Sequence, residues 1–197
     1  EDYEQAAAHI HRFLSMDESD LRNYAVDEGP SGGKVENGLN ASSMDEAFIK
    51  LHEAEIKLKN IVMKRFDEAV RDDDVASVER YFKIFPLLNQ HQEGLKKFST
   101  YLCTKISDKA LIKNIPSTNL NHCDKLAQLY ETIAKIIDIH QPLVETYYGP
   151  GKLISVIEIL QKECDRQSKR IFDDFKSKKM LQHAINMVTK SLKPLAT

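Results

Sequence analysis

The side chains able to do chemistry are scattered along this chain, and their spacing decides against most reactions. His9 and His11 stand two apart. On a helix that separation turns their imidazoles about 200° from one another, so they do not share a zinc ion. His122 and Cys123 are adjacent at a predicted helix start. A cysteine–histidine nucleophile pair needs convergence in space, which adjacency in sequence does not supply. Asp72-Asp73-Asp74 is a lone acidic triplet without the spaced ligands and glycine of a calcium loop, and reads as helix capping. Gly149-Pro150-Gly151 precedes a helix, where free amides bind phosphate. Pro150 removes a donor, however, and no G-x-x-x-x-G-K-[ST] or G-x-G-x-x-G pattern occurs, so a tight turn is the better reading. Asn40-Ala-Ser42 matches a glycosylation sequon, which carries no meaning in the cytosol. The expectation is a protein that is not an enzyme, with no catalytic, cofactor-binding or metal-ligating residues.

One charged constellation remains. Lys162, Arg166, Lys169, Arg170, Lys176, Lys178 and Lys179 form a basic set that a lipid surface or a nucleic acid would favour. Glu163, Asp165, Asp173 and Asp174 interleave with it, and opposite charges three or four residues apart describe a solvated helix face. Lys162, Arg166, Lys169 and Arg170 are kept as an alternative lipid-facing surface, and nucleic acid is not expected as a partner.

Composition agrees with a non-catalytic helical protein. Hydrophobic residues make up 42% and charged residues 29%, Trp is absent, and Gly and Pro are sparse. No apolar run reaches the length of about 18 residues that a membrane span needs. The start, Glu-Asp-Tyr-Glu, has neither the basic nor the apolar stretch of a signal peptide and falls inside a helical pattern, as expected of an excised fragment. Three cysteines, Cys103, Cys123 and Cys164, are odd in number and widely spaced. They argue for a reducing, cytoplasmic setting, in which each packs as a small apolar residue. The net charge of −2 hides a polarity: residues 1–47 carry eleven acids against three bases, and residues 151–197 carry ten bases against five acids. Such an asymmetry can orient a partner.

The elements that must position these groups are helices. Ala6, Ala7, Ile10, Phe13 and Leu14 make an apolar stripe on a first helix, after which Ser19 or Asp20 caps a short turn through Leu21 and Tyr24. Four glycines and a proline within residues 27–38 mark a flexible linker, assigned to residues 25–43. Ser42 and Ser43 followed by acids predict a helix start at Met44, with about 28 residues spanning roughly 40 Å. Asp73 or Asp74 caps the next helix, which ends or kinks near Phe85 because Pro86 follows. Further helices are expected over 94–113 and 122–140, with Pro142 opening a separate helical segment that Gly149-Pro150-Gly151 closes. A long helix over 152–178 carries Leu153, Ile157, Leu160, Cys164, Ile171 and Phe175 at near-heptad spacing, and a short one over 180–192 follows. With no competing strand signal, the fold class is all-α, an elongated stacked helical bundle. The expected organisation is residues 1–24 as an N-terminal helix and turn, 25–43 as linker, and 44–197 as the bundle.

Two strings are too distinctive for a generic bundle: Ser77-Val-Glu-Arg-Tyr-Phe-Lys-Ile-Phe-Pro-Leu-Leu88 and His140-Gln-Pro-Leu-Val-Glu-Thr-Tyr-Tyr-Gly-Pro-Gly151. With residues 6–12, 95–103 and 160–167 in matching order, the chain resembles the family of subunit 4 of the conserved oligomeric Golgi complex. That family belongs to the vesicle-tethering helical rods and is similar to exocyst subunits. Residues 25–43 and 108–122 depart from its pattern. The resemblance implies an N-terminal to middle portion of a non-catalytic rod-shaped scaffold subunit, acting in intra-Golgi retrograde transport. It also implies contacts with sister subunits and with SNARE or SNARE-regulating proteins, and peripheral association with the cytosolic face of the Golgi membrane. No cofactor is expected. The first helix, through Ala7, Ile10, Phe13 and Leu14, is the expected intersubunit surface, with packing on the local bundle as its competing role.

Overall fold

The computed structural model describes residues 2–16, 39–112, 121–177 and 180–192. These residues form seven α-helices and one 3-10 turn, and no strand: α1 (Tyr3–Leu14), α2 (Leu39–Arg71), α3 (Val75–Ile84), the 3-10 turn Pro86–Leu88, α4 (His91–Ile112), α5 (His122–Tyr148), α6 (Leu153–Ser177) and α7 (Met180–Leu192). The chain divides by its contacts into two compact units, Glu1–Gly94 and Leu95–Thr197. Ser19, Asp20, Leu21, Tyr24 and the glycine-rich stretch to Gly38 lie outside the described residues.

In the first unit, α1 packs on α2, α3 and the 3-10 turn. Asp2 caps α1 by accepting from the Gln5 amide at 3.1 Å. The helix turns Ala7 and Ile10 inward, and the Tyr3 ring lies 6.4 Å from that of Tyr81. α2 begins at Leu39, five residues before the expected start at Met44. Asn40, Ala41, Ser42 and Ser43 include neither Gly nor Pro, and Ser and Asn cost only a few tenths of a kcal/mol each in a helix. Backbone hydrogen bonding therefore runs through them. Asp74 caps α3 by accepting from the Ser77 amide at 3.1 Å, while Asp73 takes a left-handed φ of 58° in the turn before it.

The first distinctive string makes the core of this unit. Val78, Phe82 and Ile84 are wholly buried, with Phe85 and Leu88 at 1% exposure. The Phe85 ring meets Phe66 of α2 edge-on at 5.5 Å. Each such side chain contributes about 1.5–3 kcal/mol by burial, enough for the string to organise its surroundings. Pro86 ends α3 as expected and starts the 3-10 turn. Asn89 closes that turn in the left-handed region, which Asn tolerates, and α4 starts at His91, three residues before the expected Gly94.

The second unit is built from the rest of α4 with α5, α6 and α7. α5 and α6 pack along one another, and Gly149 closes α5 with its amide bonded to the Glu145 carbonyl at 3.1 Å, its φ of 93° lying where L side chains strain. α5 does not break at Pro142. It runs unbroken from His122 to Tyr148, correcting the expected division after His140. An interior proline forfeits one backbone hydrogen bond, a cost of about 3 kcal/mol. Val144 and Tyr148, at 0% and 5% exposure, and His140, edge-on to the buried Phe98 at 5.2 Å, anchor the turns on both sides. Among the described residues no helix is long and apolar enough to cross a membrane.

Candidate functional site

The polar chemistry of the second unit collects on one face of α6. Spacing places Leu153, Ile157 and Phe175 on its buried stripe, but Ile157 is exposed and Leu153 and Phe175 are half-buried. Val156, Leu160, Glu163, Cys164, Gln167, Ser168 and Ile171 are the buried set. A glutamate and a glutamine thus sit in a helix–helix contact. Glu163 Oε1 and Oε2 accept from Arg166 at 2.8 Å each, and Oε1 also accepts from Gln167 Nε2 at 2.6 Å. Gln167 donates in addition to Ser107 Oγ of α4, at 3.3 Å. Burial by itself would raise the Glu163 pKa, but the bonds from Arg166 and Gln167, with the nearby Arg166 and Arg170 charges, outweigh it and hold the carboxyl below its ordinary value.

Beside this network, a cleft of about 270 Å³ opens among α4, α5 and α6. Ile106, Leu129 and Ile171, all buried, supply its apolar wall. Lys109, Lys125 and Arg170 supply cations, and Gln128, Thr132 and Gln167 supply neutral polar groups. His122 Nε2 and Asp174 Oδ2 lie 2.9 Å apart at its edge, and Phe175 meets the His122 ring edge-on at 5.3 Å. Among the described lining residues Asp174 is the one carboxylate, and it is engaged with His122. Among the described residues nothing donates to the buried Gln128 Oε1.

Of the expected surface residues, Ala7 and Ile10 are buried at 0% and 9% exposure within the first unit, so they hold α1 to its neighbours. Phe13 is 45% exposed and Leu14 half-buried. Lys162, Arg166, Lys169 and Arg170 are all exposed, but Arg166 is tied to Glu163 and Arg170 lines the cleft. Lys178 and Lys179 lie outside the described residues. Cys123 is exposed, and His122 turns to Asp174. Burial raises the thiol pKa of both Cys103 and Cys164, which keeps them unreactive. Among the described residues no group of three His, Cys, Asp or Glu could hold a metal ion. Spacing did not single out the cleft, because its lining comes from residues up to 68 positions apart; the sole local hint was the charge density around Arg170.

The helices define a protein of the α-helical bundle class. The chain belongs to the family described as COG4 transport protein, middle alpha-helical bundle, whose model matches residues 80–196. It is 44% identical over 184 residues to the human protein named conserved oligomeric Golgi complex subunit 4, covering 89% of this chain and 22% of that one. The Drosophila melanogaster protein of the same name is 38% identical over 202 residues, covering 97% of this chain and 25% of its own length. The Saccharomyces cerevisiae one is 28% identical over 138 residues, or 66% and 16%. The chain thus spans less than a third of the length of these relatives. No solved structure matches it.

Proposed function

We propose that this chain is part of a non-catalytic scaffold subunit of a Golgi vesicle-tethering complex acting in intra-Golgi retrograde transport. It works on the cytosolic face of the Golgi membrane, as a peripheral component, through helix-mediated contacts with sister subunits and with SNARE or SNARE-regulating proteins. The observation that carries the reading is the likeness of nearly the whole chain to proteins named as subunits of the oligomeric Golgi complex. The distribution of exposed apolar side chains supports it. Ile49 and Ile56, 61% and 50% exposed, stand one heptad apart on α2, and Ile185 and Val188 are exposed on α7. Such spacing suits a partner helix. On α1 the docking end is Phe13 with Leu14, while Ala7 and Ile10 set the angle of the helix.

Co-purification with each sister subunit tests this reading. One sample carries Phe13→Asp and a second carries Ile49→Asp with Ile56→Asp. Loss of one subunit by either variant, with helicity retained, is the expected result. Failure of the unaltered chain to retain any subunit of the complex would overturn the reading.

A further inference from the structure

The outer face of α5 carries a pattern that packing within the second unit does not use. Leu129, Ile136 and Val144 turn inward on this helix and are buried. Cys123, Ala127, Tyr130, Ala134 and Gln141 form a row on a flanking face, and all five are exposed. Half-buried Ile137 stands between Ala134 and Gln141, so the row steps by four and three alternately, the spacing of a heptad seam. Half-buried Leu126 and Ile133 border the row on its inner side and widen the apolar surface. Tyr130, 54% exposed, is the large side chain of the row and stands between two alanines. A facing helix can approach over the alanines and enclose the tyrosine ring, which is the geometry of a binding anchor.

The second observation is one of charge. Asp124, Glu131, Asp138 and Glu145 repeat at intervals of seven along the outer edge of this row, and all four are exposed. Flanking positions of this kind select the partner of a helix by its charge. Glu131 is engaged by Lys135 at 2.6 Å and Glu145 accepts from Gln141 at 3.1 Å, whereas Asp124 and Asp138 make no ion pair among the described residues. The edge therefore stays acidic after its local contacts are made.

Seam and edge together specify the occupant. Carboxylates repel anionic lipid headgroups and nucleic acid, which leaves protein. A second copy of α5 laid antiparallel sets carboxylates against carboxylates, and laid parallel sets them against the apolar Leu126 and Ile133. α7 carries Lys190 and no acid, but its 13 residues span about 20 Å, against about 30 Å for the acidic edge. We propose that the outer face of α5 docks a basic amphipathic helix of a partner protein, about three heptads long, with Tyr130 as anchor and the partner's lysines or arginines on Asp124, Glu131, Asp138 and Glu145. The inference does not rest on the tethering role and stands without it.

Fluorescence anisotropy of this chain with two labelled helical peptides of about three heptads tests the face. Both peptides carry leucine at a and d. One has lysine at e and g, which keeps it from pairing with itself, and the other has glutamate at both. Saturable binding of the lysine peptide, about tenfold or more tighter than that of the glutamate peptide at low salt, is expected, with the gap narrowing at about 0.5 M salt. Tyr130→Asp should weaken it by about tenfold or more. Glu131→Lys combined with Asp138→Lys should reverse the order of the two peptides. All three positions are exposed, and thermal melts of the variants confirm that they fold. Three results overturn the proposal. One is binding of the lysine peptide no tighter than that of the glutamate peptide. Another is binding that survives these variants yet is lost with Ile49→Asp and Ile56→Asp, which would place the contact on α2. The third, in analytical ultracentrifugation of the chain alone, is a dimer that Glu131→Lys with Asp138→Lys dissociates, which would make the occupant a second copy.

Discussion

Replacing Glu163 by Gln removes one charge and no volume at the centre of the α6 network. The wild-type carboxylate receives three hydrogen bonds, two from Arg166 at 2.8 Å and one from Gln167 at 2.6 Å. A Gln side chain offers one acceptor oxygen, so a donor of its own then faces a donor of Arg166 or Gln167. Arg166 is 54% exposed in its side chain and regains water, which makes its part of the loss small. Gln167 is 3% exposed and cannot, so the variant's oxygen is held on the Gln167 side. With its oxygen in the Oε1 place, the new amide keeps the bond from Gln167 and sets its NH2 against the Arg166 Nε alone, so E163Q should lose about 1 kcal/mol of stability at neutral pH, chiefly the charge-assisted part of the Arg166 pair. The folded-state pKa of Glu163 is depressed. The carboxylate's stabilisation is therefore complete above the ordinary glutamate value of about 4.3, and it fades as pH falls through the folded value. Urea unfolding followed by far-UV circular dichroism, at about pH 7 and at about pH 3, reads both effects. A loss below about 0.5 kcal/mol at neutral pH would refute the reasoning. So would a difference between variant and wild type that persists undiminished in acid.

Phe82→Ala, at a wholly buried position in the first unit, should cost about 3–5 kcal/mol, measurable by thermal or urea denaturation. Asp74→Ala should lower the melting temperature by removing the cap that accepts from the Ser77 amide. The Ser77 side chain, and after it that amide bond, hold the Asp74 pKa below its ordinary value, so the difference from wild type should disappear as a pH series descends through the folded value. Pro142→Ala restores a backbone donor at an exposed position inside α5 and should stabilise the protein by about 1–3 kcal/mol in the same unfolding assay.

The legibility of this chain follows the range of the forces involved. The stop at Pro86 and the cap at Asp74 were readable because each rests on a local rule, a missing donor in one case and a side-chain acceptor three residues before an amide in the other. The string ending at Leu88 was readable as core from its density of large apolar residues. Pro142 was misleading for the same local reason: its intrinsic cost is real, but Val144, Tyr148 and the His140–Phe98 contact outweigh it through packing. Glu163 and Gln167 look like ordinary surface positions in a charge-rich helix. Only their partners Arg166 and Ser107 let them be buried. Ile10 and Phe13 share one apolar stripe, and spacing cannot say that the first is covered and the second exposed.

By itself the sequence determined that this protein is helical, where most helices begin and end, and which family it resembles. Those properties follow from hydrogen bonds closed within four residues and from the 3.6-residue period of apolar side chains. Tertiary structure alone decided which polar groups leave water and that Lys109, Lys125, Gln128 and Arg170 share a cleft. Those residues lie on three helices, and their meeting depends on the crossing of whole elements rather than on any neighbour in the chain.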